Sequence, residues 1–237
     1  MSDLIVKFTK KYNINFGIND DVLNLSNKEL QNIDVFDLMH LERLLCYTNS
    51  LNTINLIDLD CLKNINIHHN RIQNINLINL TNLIYLNVSH NQLQDIDLTH
   101  LTNLETLYIN NNRLRVINLN HLMHLKLLSI SNNCLWNIDL SNLIDLEFLY
   151  LNNNLLQTIN LTGLKDLYKL NVSNNLLQTI NLTGLKDLYK LNVSNNHLQT
   201  IDLTGLKNIC KLYVQNNYLS FQTKQRLMFL DIKDLKT

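Results

Sequence analysis

Three histidines, His68, His69 and His90, are the side chains of this chain best suited to bind a metal. Neutral imidazole is a common zinc ligand, but two or three histidines without a carboxylate make a weak site. His69 and His90 stand 21 residues apart, as do His100 and His121. The cysteines, Cys46, Cys61, Cys134 and Cys210, are separated by 15, 73 and 76 residues, so no Cys-x-x-Cys pair exists for zinc or redox work. No His-Glu-x-x-His, Gly-x-Ser-x-Gly or phosphate-loop motif occurs, and the four glycines never lie close together. The acids Asp97, Asp139 and Asp202 fall at one recurring position that elsewhere holds Asn118, Asn160 or Asn181. A calcium ladder there would need a cage of oxygen ligands, which a mostly neutral column does not supply. The chain is therefore read as non-enzymatic, with no catalytic residue, cofactor or metal assigned.

The elements that would position such residues follow from composition and period. Lys+Arg and Asp+Glu are both 20, giving zero formal charge. Binding to nucleic acid or to an anionic membrane through bulk charge is not expected. Hydrophobic residues make up 46% of the chain, enough for a large core. There are 53 Leu and 42 Asn but no Ala and no Pro, which argues against a globular helix bundle. The N-terminus, Met1 to Lys11, has an early acid and no long apolar run, so it does not read as a secretory signal. No stretch reaches the length of a membrane span. The expectation is a cytoplasmic protein in a reducing compartment, with Cys46 a buried filler and the other three cysteines exposed and unpaired. Asn87, Asn171 and Asn192 each begin Asn-Val-Ser, but glycans there would crowd the face assigned below to binding.

One period organises everything else. Asn49, Asn70, Asn91, Asn112, Asn133, Asn154, Asn175, Asn196 and Asn217 recur at 21 residues. Leu83, Leu86 and Val88 precede Asn91, and Leu93, Ile96 and Leu98 follow it; the other copies are apolar at nearly all the same places. Residues 153–175 and 174–196 are identical, as a recent tandem duplication would leave them. An open array accepts an inserted unit because each unit touches only its neighbours, whereas a closed fold does not.

The run Leu83-Ile84-Tyr85-Leu86-Asn87-Val88-Ser89-His90-Asn91-Gln92-Leu93 resembles the L-x-x-L-x-L-x-x-N-x-L signature of the leucine-rich repeat family. It recurs from Leu41 to Leu219, and a half unit from Leu23 to Val35 precedes it. The short unit and the Ile-Asp/Asn-Leu triplet after the signature look most like internalin-type repeats. The resemblance implies an α/β solenoid with a parallel β-sheet on its concave side, short strands or turns on its convex side, and a role in protein interaction.

The columns can also be read from the residues. Leu86-Asn87-Val88 alternates and predicts a short strand with Leu86 and Val88 inward. Asn91 is expected to turn inward and satisfy backbone groups of its own and a neighbouring coil. Ile96-Asp97-Leu98 also alternates, which predicts a second, shorter strand column whose middle residue merely faces solvent. Both ends of a solenoid need covering. Residues 3–12 read as an amphipathic helix capped by Ser2, and 223–235 as a helix carrying Met228, Ile232 and Leu235 on one stripe. The whole of 1–237 is then one domain: an N-terminal cap over 1–22, about nine and a half repeats over 23–219, and a C-terminal helical cap over 220–237.

The outward strand positions vary while the inward ones do not. Tyr85, Tyr108, Leu127, Phe148 and Tyr150 gather in the middle of the array, followed by Lys169, Lys190 and Lys211. Aromatic residues ringed by polar ones suit a protein-binding surface. These eight are the candidate partner-binding residues. Trp136, on the turn side, reads as local edge packing, with a contact to a partner as the alternative. The expected molecule is a monomeric scaffold for another protein, without nucleic-acid binding or membrane insertion. A cell-surface adhesin or receptor-type recognition module is the other reading.

Overall fold

The computed structural model describes residues 11–12, 16–17, 20–33, 35, 38–230 and 232–237. Their backbone winds into a solenoid whose strands form one parallel sheet in chain order: β1 (Val22–Asn24), β2 (Arg43–Leu45), β3 (Asn64–Asn66), β4 (Tyr85–Asn87), β5 (Thr106–Tyr108), β6 (Leu127–Ser129), β7 (Phe148–Tyr150), β8 (Lys169–Asn171), β9 (Lys190–Asn192), β10 (Lys211–Tyr213) and β11 (Asp234–Lys236). From β1 to β10 the register advances by one 21-residue unit per strand, so Tyr85 faces Thr106 and Leu127 faces Phe148. Side chains alternate along a strand, so the central residue of each is inward and the two flanking residues are outward. Leu86, Leu107, Leu128 and Leu149 are accordingly wholly buried. Together with the columns of Leu83, Val88 and Leu93 they make one continuous core along the solenoid.

The periodic asparagines bind each coil to the one before it. Asn112 Oδ1 accepts from the Leu93 N–H at 3.0 Å. Its Nδ2 donates to Val88 O at 3.0 Å and to Ile109 O at 3.2 Å. Asn70, Asn91, Asn133, Asn154, Asn175 and Asn196 repeat this set. A buried amide is tolerated only when its donors and acceptor are paired, and here they are. The residue before each of these asparagines has positive φ, as at Asn111 (φ 54°) and Asn153 (φ 58°). Asn tolerates the left-handed region better than most residues, which explains its dominance at that place.

The second strand column is not formed. Residues such as Ile96 and Leu98 are buried as expected, but the segment pairs with no neighbouring coil. Instead Asp97 Oδ1 accepts from the Thr99 N–H at 2.9 Å, which starts a tight turn closed by Leu101 N–H to Leu98 O at 3.0 Å. Asn118 does the same for the Asn120 N–H at 3.1 Å, and Asn55, Asn76, Asp139, Asn160, Asn181 and Asp202 follow suit. The outward convex residue is thus a turn-former and not a bystander. Asp97 and Asp202 are held below the usual carboxylate range by hydrogen bonds from the side chains and then the backbone of Thr99 and Thr204, and Asp139 by those from the backbone and then the side chain of Ser141.

The C-terminal end also differs from expectation. Helix α1 spans only Phe221–Met228, with the Ser220 hydroxyl accepting from the Thr223 N–H at 3.2 Å as its N-cap. Its buried face is Thr223 and Leu227, while Met228 is 70% exposed. Leu235 lies in β11 opposite Leu212, so the chain returns to the sheet where a longer helix was expected. At the other end, the expected helix over 3–12 falls outside the described residues except for Lys11 and Tyr12, which are helical.

Because contacts run only between adjacent coils, one unit should be removable. Deleting 155–175 joins Asn154 to Leu176 and keeps every column in phase. Expression and circular dichroism should show a soluble, cooperatively melting protein. Removing ten residues at the same place turns apolar side chains outward and should give insoluble protein. Equal insolubility of the two would contradict the nearest-neighbour architecture.

Candidate functional site

The concave face carries two parallel columns of outward side chains. The first runs Tyr85, Thr106, Leu127, Phe148, Lys169, Lys190, Lys211; the second runs Asn87, Tyr108, Ser129, Tyr150, Asn171, Asn192, Tyr213. All eight candidate residues therefore lie on this one face, half-buried by their neighbours. Tyr85 and Tyr108 meet at 5.9 Å between ring centroids. Burial raises the Tyr85 phenol, and Tyr108 adds to the effect. Burial and Tyr108 likewise raise Tyr150. The phenols therefore stay neutral and offer hydrogen bonds beside the apolar Leu127 and Phe148.

The lysines do not stand free as a plain basic stripe. Lys169 Nζ lies 5.4 Å from the Phe148 ring centre and 5.7 Å from that of Tyr168. Lys190 Nζ lies 5.3 Å from the Tyr213 ring. A cation over an aromatic face is attracted by the ring quadrupole and loses some of its freedom to reorient. Lys211 extends the same column.

Two residues missed by the sequence reading join this surface. Tyr168 packs edge-on to Phe148 at 6.1 Å and stacks on Tyr189 at 5.1 Å. They stand just before β8 and β9, outside the alternation that selected the other eight. Their identical place in the duplicated units was the available signal. Beside the second column, two residues further along each coil, runs a polar track. Asn110 Oδ1 accepts from the Ser129 hydroxyl and the Ser131 N–H, both at 2.8 Å, and Asn152 Oδ1 accepts from the Ser131 hydroxyl at 2.7 Å. These bonds tie adjacent coils together along the edge of the aromatic patch.

The histidines assemble differently. His69 and His90 stack face to face at 3.9 Å, His68 packs edge-on to His69 at 5.2 Å, and Tyr47 stacks on His68 at 4.8 Å. His69 and His90 occupy the positive-φ column that Asn fills elsewhere. A metal is bound through ring-edge nitrogens, whereas these rings meet by their faces. Asn66 Oδ1 already holds His68 Nδ1 at 2.6 Å, and Asn111 Nδ2 lies 3.1 Å from His90 Nε2. Among the described residues no group of three His, Cys, Asp or Glu is placed to hold a metal ion. His100 and His121 flank Asp97 on the convex side, outside any such group. Cys46 is buried, which raises its thiol above the ordinary range; Cys61 and Cys134 are exposed, Cys210 is half-buried, and all four are free. Trp136 is 60% exposed and so packs less than expected.

The histidine stack has a consequence for acid stability. Burial, and then the neighbouring histidines, push His68 and His90 below their ordinary 6.5. The folded chain takes up these protons less readily than the unfolded chain, so stability is full above about pH 6.5 and is lost as the pH falls through it. Replacing His69 by Asn removes the central imidazole of the stack and installs the residue that this column prefers. Thermal melts at about pH 5 and about pH 8 should differ less for this variant than for wild type. An unchanged difference would show that the stack does not set the acid limb.

A family model of two leucine-rich repeat copies matches residues 81–122. The fold is a leucine-rich repeat solenoid. Solved structures agree over most of the chain. The functional domain of InlJ from Listeria monocytogenes is 23% identical with a TM-score of 0.69, over 83% of this chain and 48% of that one. YopM from Yersinia enterocolitica is 23% identical with a TM-score of 0.77, over 92% of this chain and 46% of that one. The leucine-rich repeat ectodomain of the receptor kinase GASSHO1/SCHENGEN3 from Arabidopsis thaliana, in complex with Casparian strip integrity factor 2, is 25% identical with a TM-score of 0.70, over 82% and 26%. This leucine-rich repeat chain thus spans about half the length of the bacterial proteins it matches. By sequence it matches no curated protein. Its 21-residue unit is of the internalin-like type, and no helix among its described residues is long and apolar enough to cross a membrane.

Proposed function

We propose that this solenoid is a non-enzymatic scaffold that holds another protein against its concave sheet. The observation that carries the reading is the grouping of Tyr85, Tyr108, Leu127, Phe148 and Tyr150 on four adjacent strands, β4 to β7. Outward strand positions are unconstrained by the core, so a cluster of large side chains there needs another cause. Aromatic anchors surrounded by polar groups exclude water at the centre of an interface. Lys169 and Lys190 adjoin the patch and would meet an acidic rim on the partner. The ligand complex of the plant ectodomain supports the general use of this architecture for recognition. We place the protein in a reducing compartment, because Cys61 and Cys134 are exposed free thiols.

The test is affinity capture from host-cell lysate with identification by mass spectrometry. A chain stripped of the concave aromatics should lose its partner, and a Trp136→Ala chain, altered on the turn side, should keep it. Loss with Trp136→Ala alone would move the binding surface to the turn side.

A further inference from the structure

We propose that the C-terminal end of the solenoid is a self-association surface on which a second copy of this chain docks, β11 pairing with β11 in antiparallel register centred on Leu235. This goes beyond the concave-face reading and does not depend on it, and it departs from the monomer expected from the sequence.

Three observations meet at this end. First, β11 pairs with β10 on one side, and no described residue pairs with its other edge. An open strand edge presents a row of N–H and C=O groups ready to receive another strand. Second, the coil that ends in β11 leaves large apolar side chains in solvent: Phe221 at 75%, Met228 at 70%, Phe229 at 88% and Leu230 at 44%. Third, the charges are self-complementary. Asp234 and Lys236 flank Leu235 and both lean on Tyr213: the Tyr213 hydroxyl donates to Asp234 Oδ2, and Lys236 Nζ lies 5.1 Å from the Tyr213 ring.

Charge selects the occupant. A twofold axis through Leu235 sets Asp234 opposite the partner subunit's Lys236, and by symmetry sets Lys236 opposite the partner subunit's Asp234. Opposite charges directly across an antiparallel pair are favourable, and a closed twofold contact needs this reciprocity. In-register parallel pairing would set Asp234 against the partner subunit's Asp234. Head-to-tail stacking would set β11 against β1 (Val22–Asn24), a strand without a charged side chain, and would propagate into an open filament.

Sedimentation of the 237-residue chain over a concentration series tests the proposal. The 27.7 kDa species should give way to one of twice that mass as concentration rises. Asp234→Lys and Lys236→Asp should each weaken association by about tenfold, and the double exchange should restore it. Lys236→Asp retains the Tyr213–Asp234 hydrogen bond but loses the contact of Lys236 with the Tyr213 ring, so its effect is read as one on pairing when the melting temperature of the dilute variant matches wild type. Phe229→Ser alters a side chain in solvent, keeps the melting temperature of the dilute protein, and should also weaken association. A single 27.7 kDa species at every concentration overturns the proposal. So does association that ignores both charge reversals, or a double exchange that stays as weak as the single ones.

Discussion

Asn112→Ala is expected to cost roughly 3 kcal/mol of stability. The Leu93 N–H loses its partner, and the Val88 and Ile109 carbonyls each lose one of two donors, about 1 kcal/mol for each of the three bonds. Asn91 Nδ2 still reaches Val88 O, and Asn133 Nδ2 still reaches Ile109 O. Alanine fills part of the space but offers no hydrogen bond, and the site is too enclosed for easy solvent rescue: Asn112 is only 9% exposed. For a chain of this length that loss corresponds to a fall in melting temperature of roughly 6–12 °C. The comparison is Asn118→Ala, which removes one exposed turn bond to the Asn120 N–H. Its cost should be near 0.5–1 kcal/mol, like that of a weak cap. Calorimetry of the two variants decides between the roles; equal melting shifts would mean that the inward amides do not join the coils.

The second large effect is expected at the concave face. With a captured partner in hand, Phe148→Ala/Tyr150→Ala should weaken binding by several hundred-fold, since each hot-spot truncation costs about 2 kcal/mol or more. Both side chains are half-buried and stand on the sheet outside the core, so the melting temperature should move by only a few degrees. Lys169→Glu/Lys190→Glu should act differently. Those ammonium groups sit against Phe148, Tyr168 and Tyr213, so reversal removes the cation–π contacts and inverts the local field. Titrations at several salt concentrations should show slower association and an altered salt dependence. Full partner binding by both double variants would place the interface elsewhere.

How far the sequence could be read depended on whether the core dictated the residue. The strands around Leu86, Leu107 and Leu128 and the inward asparagines were legible because packing and pairing leave those columns no freedom. The convex turns were not, because Ile96-Asp97-Leu98 satisfies two descriptions at once. Its alternation suits a strand, but the Asp97 carboxylate reaches its own backbone two residues on and takes the group that a strand would have offered to its neighbour. β11 escaped notice because Leu235 follows Leu212 by 23 residues, off the 21-residue period, and because helix α1 intervenes. Within the candidate site, the eight outward residues were visible from alternation. Their pairwise geometry was not, and the laying of Lys169 over two rings depends on Tyr168, which stands outside the strand.

The direction of the inter-coil hydrogen bonds has a mechanical meaning. They point along the long axis of the solenoid, and the strands lie across it. Tension between the two ends would therefore pull these bonds in series and open the array like a zipper, one turn after another, where a pull along the strands would shear many bonds at once. Each turn that yields frees 21 residues, about 70 Å of extended chain at roughly 3.4 Å per residue. The molecule is then a soft, stepwise extensible tether along its length and stiff across its width.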